Sequence, residues 1–224
     1  CTARSVRDGE ARTVTFAQGI EQSDRWESGV EERNGTLISF RVDEEVFGAY
    51  AYNMEYVEEM VKNYTYLNLG LTFKLNGQSY VSKNGLLDLL NEKMSDAPLY
   101  APIHLSGDDI EVAITHGSGC GESSYSFVNG QYTSQGGTHQ AAFREAIAKT
   151  VKEFYHKDYD ASDIRTSIIA AISVKVTDPV FESQTKIKLG SKEIEPGVSM
   201  RNFVLDFIGK HLDDYLHKHS ETAQ

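Results

Sequence analysis

One apolar stripe constrains this sequence more than any other feature. In THQAAFREAIAKTVKEFYHKD, Phe143, Ala146, Ile147, Thr150, Val151 and Phe154 recur at steps of 3, 1, 3, 1 and 3. That spacing puts them on one face of a helix, and such a face has to be buried against another layer. The neighbouring runs offer one. SSYSFVNGQYTS precedes the helix, with a turn signal at Asn129-Gly130, and the alternating run IIAAISVKVTDPVF starts at Ile168. Both read as strands, the second broken by Pro179, which cannot donate to a ladder.

The rest of the chain organises around this unit. Strands are predicted near Ile103 and over DIEVAITHG, and a final helix carries Phe203, Val204, Phe207, Ile208, Leu212, Tyr215 and Leu216 on one side. Phe143 and Phe207 are expected to be core residues. Upstream, Asp8-Gly9 marks a hairpin turn, since glycine tolerates positive φ. GTLISFRV (35–42) reads as a strand. Met54, Val57, Met60, Val61 and Tyr64 mark an amphipathic helix, Asn76-Gly77 a second hairpin, and KNGLLDLLNEK a short helix. The polar stretch KMSDAPLY separates two predicted domains, 1–95 and 99–224. Mixed helices and sheets in this order predict an α+β fold built of α/β sandwich layers.

Composition narrows the function classes. The net charge of −11 opposes nucleic-acid binding, except through a local basic patch. No apolar run reaches the roughly 18 residues of a membrane span. Cys1 and Cys120 lack metal-ligand spacing and form no disulfide framework, which suits a reducing, cytoplasmic setting. The chain opens on Cys1 in mid-sheet, so a piece of a longer protein is expected.

Four motifs bear on chemistry. HGSGCGESS (116–124) is glycine-rich, but it lies between two strands and lacks a lysine, so it reads as a flexible hairpin loop and not a phosphate cradle. His116, His139, His211, His217 and His219 show no metal spacing and read as solvated side chains. In QGGTH (135–139) two glycines let the backbone turn sharply and bring a helix start close to a neighbour, with Thr138 as its cap. In ESQTKIKL, Gln184 and Lys186 sit on a loop just after a buried strand. A lysine there can place a point charge on a phosphate, and a glutamine can donate to a second oxygen. On chemistry alone an ordinary surface lysine is the better reading.

The strings themselves go further. YSFVNGQYTSQGGTHQAAFREAI, followed by IIAAISVKVTDPVFESQTKIKLGS, closely resembles the transducer domain of type IIA DNA topoisomerase B subunits, the ATPase subunits of gyrase and topoisomerase IV. VRDGE, NGTLISFRVDEEVF and YTYLNLGLTFKLNG are similar to the later strands and last long helix of that family's ATP-binding domain.

The resemblance implies the C-terminal half of a Bergerat-type ATPase domain (the gyrase, Hsp90, histidine kinase and MutL superfamily), then a ribosomal-S5-domain-2-like transducer. It implies that Gln184 and Lys186 are the catalytic and nucleotide-binding pair of the switch loop, on the γ-phosphate. Thr36 would lie at the floor of the adenine pocket and Arg7 at its rim, where aminocoumarin inhibitors bind. The whole protein would use ATP and Mg²⁺, with a topoisomerase A subunit, a second B subunit and double-stranded DNA as partners, and no membrane, in the cytoplasm at the nucleoid. The family's general base, Mg²⁺ ligand and glycine-rich lid have no counterpart here, so no metal ligand is named and no cofactor is expected on this piece alone. The alternatives are an ATP-independent S5-like interaction module, or another ATPase of the superfamily such as a mismatch-repair protein.

Overall fold

A computed structural model describes residues 1–95, 97–119 and 121–223. The fold is α+β, and the chain divides into two compact units, Cys1–Met54 and Glu55–Gln224. Asp96 in the predicted linker, Cys120 and Gln224 lie outside the described residues.

The first unit is an antiparallel sheet of β1 (Thr2–Arg7), β2 (Glu10–Ala17), β3 (Ile20–Ser28) and β4 (Gly35–Ser39), in the order β3-β2-β1-β4. Asp8 and Gly9 take φ of 51° and 83°, the doubly left-handed turn of a tight hairpin. Val6 and Ala11 face each other across β1 and β2 and are buried. A short helix, α1 (Glu44–Phe47), starts at Asp43, whose carboxylate accepts from Glu45 N. β3 was not predicted. IEQSDRWES is polar on both faces, and all but one of its residues are exposed.

The second unit begins one residue into α2 (Met54–Leu67) and continues with the hairpin β5 (Phe73–Leu75) and β6 (Gln78–Tyr80), and α3 (Leu86–Lys93). β7 (Ile103–Ser106), β8 (Ile110–His116), β9 (Ser123–Val128) and β10 (Gln131–Tyr132) follow, then α4 (Thr138–Tyr155), α5 (Ala161–Arg165) and β11 (Ile168–Val174). The hairpin β12 (Glu193–Glu195) and β13 (Val198–Ser199) leads into α6 (Met200–Lys218).

Five of these strands form one sheet in the order β10-β9-β11-β8-β7, with β11 parallel to β9 and antiparallel to β8. The sheet is covered on both sides. Val112, Ile114, Ala170 and Ile172 meet α4 and α6 on one face. Ala113, Phe127 and Ala171 meet Tyr66, Leu86, Leu89 and Leu90 on the other. Burial on both faces is why β11 reads as a nearly unbroken apolar run.

Several expectations need correction. HGSGCGESS is not a hairpin loop, because β11 lies between the two strands that it joins. Thr138 does not cap α4. Gly137 holds the N-cap position, and no side chain bonds there. In α2 the buried residues are Thr65 and Tyr66, while Met54 and Met60 are exposed. Phe143 is core, at 1% exposure, but Phe207 is only half-buried, its ring against Gly107 at the rim. His139 is fully buried, not solvated. His116 is half-buried, with one ring nitrogen 2.6 Å from Tyr100 Oη and the other 2.9 Å from Ile164 O.

Candidate functional site

The loop that follows β11 is closed at its base. Val180 O accepts from Gly190 N at 2.8 Å and from Ser191 N at 3.1 Å. Val180 N donates to Ser191 Oγ at 2.7 Å. Higher up, Glu182 N donates to Lys188 O at 3.0 Å, and the two side chains form an ion pair, also at 3.0 Å. At the tip, Lys186 N donates to Ser183 O at 3.0 Å, closing a four-residue turn. Lys186 takes φ of 57°, the left-handed region that costs a residue with a Cβ roughly 1–2 kcal/mol. Gln184 and Lys186 are exposed. Among the described residues neither side chain forms a hydrogen bond or ion pair.

The loop is seated on the QGGTH turn. Gln135 N donates to Ile187 O at 2.9 Å, Leu189 N to Gly136 O at 3.0 Å, and Thr138 N to Leu189 O at 3.2 Å. The last of these gives a partner to one of the free N–H groups at the start of α4. The Leu189 side chain is buried in the main core. Only glycine fits at 137. Its φ is 137°, and a Cβ there would stand 2.4 Å from Leu189 O. The doubled glycine signalled a close approach in the sequence, but nothing there identified Leu189 as the neighbour. Ser191, whose carbonyl accepts from Thr138 Oγ1, was missed altogether.

Below the turn, His139 Nε2 lies 3.2 Å from Thr133 Oγ1, which itself donates to Ser126 O at 2.8 Å. Nε2 is thus the ring nitrogen that has a hydrogen-bonding partner. Nδ1 has no partner among the described residues. A second proton would be a buried, unmatched donor, and burial pulls the imidazole down to about 4. Beside the loop, Ile187 forms part of the wall of a cavity of about 240 Å³, with Tyr56, Met60 and Tyr64 of α2 opposite.

The other two predicted site residues lie in the first unit. Ser5 opposes Thr36, and Arg7 opposes Glu10. Alternation along β1 therefore puts Arg7 and Thr36 on the same face of the sheet. Thr36 is exposed, and the Arg7 side chain, 87% exposed, is 3.7 Å from Asp8. A hollow of about 450 Å³ beside Arg7 is lined also by Ser5, Glu10, Arg12 and Trp26. Among the described residues, no three His, Cys, Asp or Glu side chains are grouped to hold a metal ion.

Comparison with known proteins gives one family. The topoisomerase IV B subunit of Borreliella burgdorferi is 42% identical over 88% of this chain and 33% of its own length. A gyrase B subunit of Staphylococcus epidermidis is 31% identical over 97% of this chain and 37% of its own. The chain thus spans about a third of the length of these relatives. Among solved structures, the 43K ATPase domain of Thermus thermophilus gyrase B, in complex with an aminocoumarin, superposes with TM-score 0.76 at 21% identity. It covers 99% of this chain, which spans 64% of the matched one. The ATP-binding domain of Francisella tularensis topoisomerase IV gives 0.76 at 24% identity, over 99% and 65%. At these identities the likeness shows the fold. The family model for DNA gyrase B matches residues 53–224, more than half of the sequence. The chain belongs to the DNA gyrase B family.

Proposed function

We propose that this chain is part of the ATPase subunit of an ATP-dependent type II DNA topoisomerase. It would comprise the later part of the ATP-binding domain (1–95) and the transducer (99–224), a division by family domains and not by compactness. The observation that carries this reading is the exposed tip of the QTK loop. It presents an unpaired ammonium on a turn whose base is bonded to the start of α4.

An unpaired, exposed ammonium fits a phosphate oxygen, and the neutral Gln184 amide can donate to a second one. Lys186 and Gln184 would hold the terminal phosphate of ATP, while Thr36 and Arg7 would line the adenine side. ATP supplies the phosphoryl group that is transferred to water. As charge builds on that group, a fixed cation beside it lowers the barrier electrostatically. When the phosphate leaves, Lys186 loses its partner and the loop its differential contact. That change can bias two arrangements of the protein and so couple hydrolysis to closure of a gate on DNA. Among the described residues, no three His, Cys, Asp or Glu side chains are grouped to hold Mg²⁺. A topoisomerase A subunit, a second B subunit and double-stranded DNA are the partners in this reading.

The test is Lys186→Ala in the full-length subunit, assembled with its A subunit. ATP hydrolysis and DNA relaxation should fall by roughly 100- to 1000-fold, the cost of removing one preorganised donor from a transition state. Gln184→Ala should cost less, because its hydrogen bond carries no net charge. Turnover near wild type in Lys186→Ala would remove the basis of this reading.

A further inference from the structure

Thr138 stands where a helix normally receives its cap, yet its hydroxyl serves another segment. α4 has no side-chain cap bond. Thr138 Oγ1 donates instead to Ser191 O, 53 residues away. Ser191 closes the base of the QTK loop, its Oγ accepting from Val180 N at 2.7 Å and its N donating to Val180 O at 3.1 Å. Thr138 N also donates to Leu189 O. A single residue of α4 is thus bonded to the returning arm of the loop at two points and, through Ser191, to the outgoing arm at Val180.

We propose that Thr138 is a positioning residue for Gln184 and Lys186. Its hydroxyl latches the loop base to α4 and so fixes where the Lys186 ammonium is delivered. The inference rests on the reading of Lys186 as the phosphate-contacting residue. The physical argument is leverage. The tip has no side-chain bond outside the loop, so its direction is set by the base and by the 135–138 turn alone. Without the hydroxyl, the backbone bonds at Ile187 and Leu189 still hold the loop on the 135–138 turn, but Ser191 and Val180 can shift together. The ammonium would then remain present and spend less time in place.

Two measurements separate this inference from the functional reading. The first needs no activity. In the 224-residue chain, hydrogen exchange at the amides of Leu189, Gly190 and Ser191 should be faster in Thr138→Val by roughly threefold to tenfold, the factor that one net hydrogen bond represents. Thr138→Ser, which keeps the hydroxyl, should exchange like wild type, and the amides of residues 168–174 should not change. If the valine is not accommodated, Thr138→Ala gives the same reading without added bulk. Unchanged exchange at 189–191 would overturn the latch.

The second measurement is ATP hydrolysis by the full-length subunit with its A subunit. Thr138→Val should lower kcat about tenfold while KM stays within about twofold, and Thr138→Ser should restore it, since misplacing a catalytic group by about 1 Å costs up to roughly 100-fold. Lys186→Ala is assayed alongside. If Lys186→Ala is active and 189–191 exchange fast in Thr138→Val, the functional reading fails and the latch stands. If Lys186→Ala is inactive but Thr138→Val turns over normally, the latch does not position the lysine and the proposal is wrong.

Discussion

Gly137 and Leu189 approach so closely that a methyl group on the first would stand 2.4 Å from the carbonyl oxygen of the second. The obstacle is backbone, so no side-chain rotation relieves it. Gly137→Ala would have to push the Leu189 segment off the start of α4 and also adopt a φ that L residues rarely take. We expect a loss of about 2–4 kcal/mol, combining backbone strain with overpacking. Gly119→Ala, with nothing within 4 Å, should stay within about 0.5 kcal/mol of wild type. Urea unfolding of both variants checks the contrast.

The left-handed turn at Lys186 separates stability from activity. Lys186→Ala keeps the strained φ of 57°. Lys186→Gly removes it and adds the unfolded-state entropy of glycine, which offsets about 0.5–1 kcal/mol. The glycine variant should therefore be at least as stable as the alanine variant, by up to about 1 kcal/mol, while both lose the ammonium and the activity equally. A glycine variant clearly less stable than the alanine variant would show that the turn is not strained.

His139 should make stability depend on pH. Its imidazole titrates near 4 in the folded state and near 6.5 when unfolded. Between those values the unfolded chain holds more protons, so stability rises with pH. The contribution is complete above about pH 6.5 and is lost as pH falls toward 4, up to roughly 3 kcal/mol in all. Unfolding free energies at pH 7 and pH 5.5 compare states in which most carboxylates stay ionised. His139→Leu should flatten the slope over that interval, whatever its effect on absolute stability. An unchanged slope would mean that His139 accepts a proton in the folded protein.

Two phenylalanines that are equivalent by periodicity should separate. Phe143→Ala empties a site in the main core and should cost about 3–5 kcal/mol. Phe207 lies at the rim, where solvent can take up part of the vacated space, and Phe207→Ala should cost less than half as much. Thermal melts of the two variants, side by side, decide it.

The elements with strong periodicity were legible in the sequence. α4 and α6 bury one stripe each, and stripes of that kind repeat at 3.6 residues wherever the chain is read. Turns fixed by glycine were legible too, because Asp8-Gly9, Asn76-Gly77 and Asn129-Gly130 offer few other conformations. β3 was not, since a strand with water on both faces carries no alternation. Which face of α2 is buried depends on α3 and the sheet, and no local pattern states that. At the candidate site, the lysine and glutamine stood out only through the resemblance to topoisomerase B subunits. The bond from Thr138 to Ser191 spans 53 residues; in its own neighbourhood the threonine reads as a helix cap, and its acceptor is a backbone carbonyl that no side chain marks.

The placement of β11 between β8 and β9 has a consequence for how the chain comes off the ribosome. Synthesis delivers β8, β9 and all of α4 before the strand that joins them exists. Until then β8 and β9 each present an open edge toward a gap one strand wide, and open edges recruit strands from other molecules. Nascent chains stalled between α4 and β11, or products clipped there by proteolysis, should therefore associate with one another or be held by chaperones. The shortest soluble product that includes this sheet must reach at least Val174.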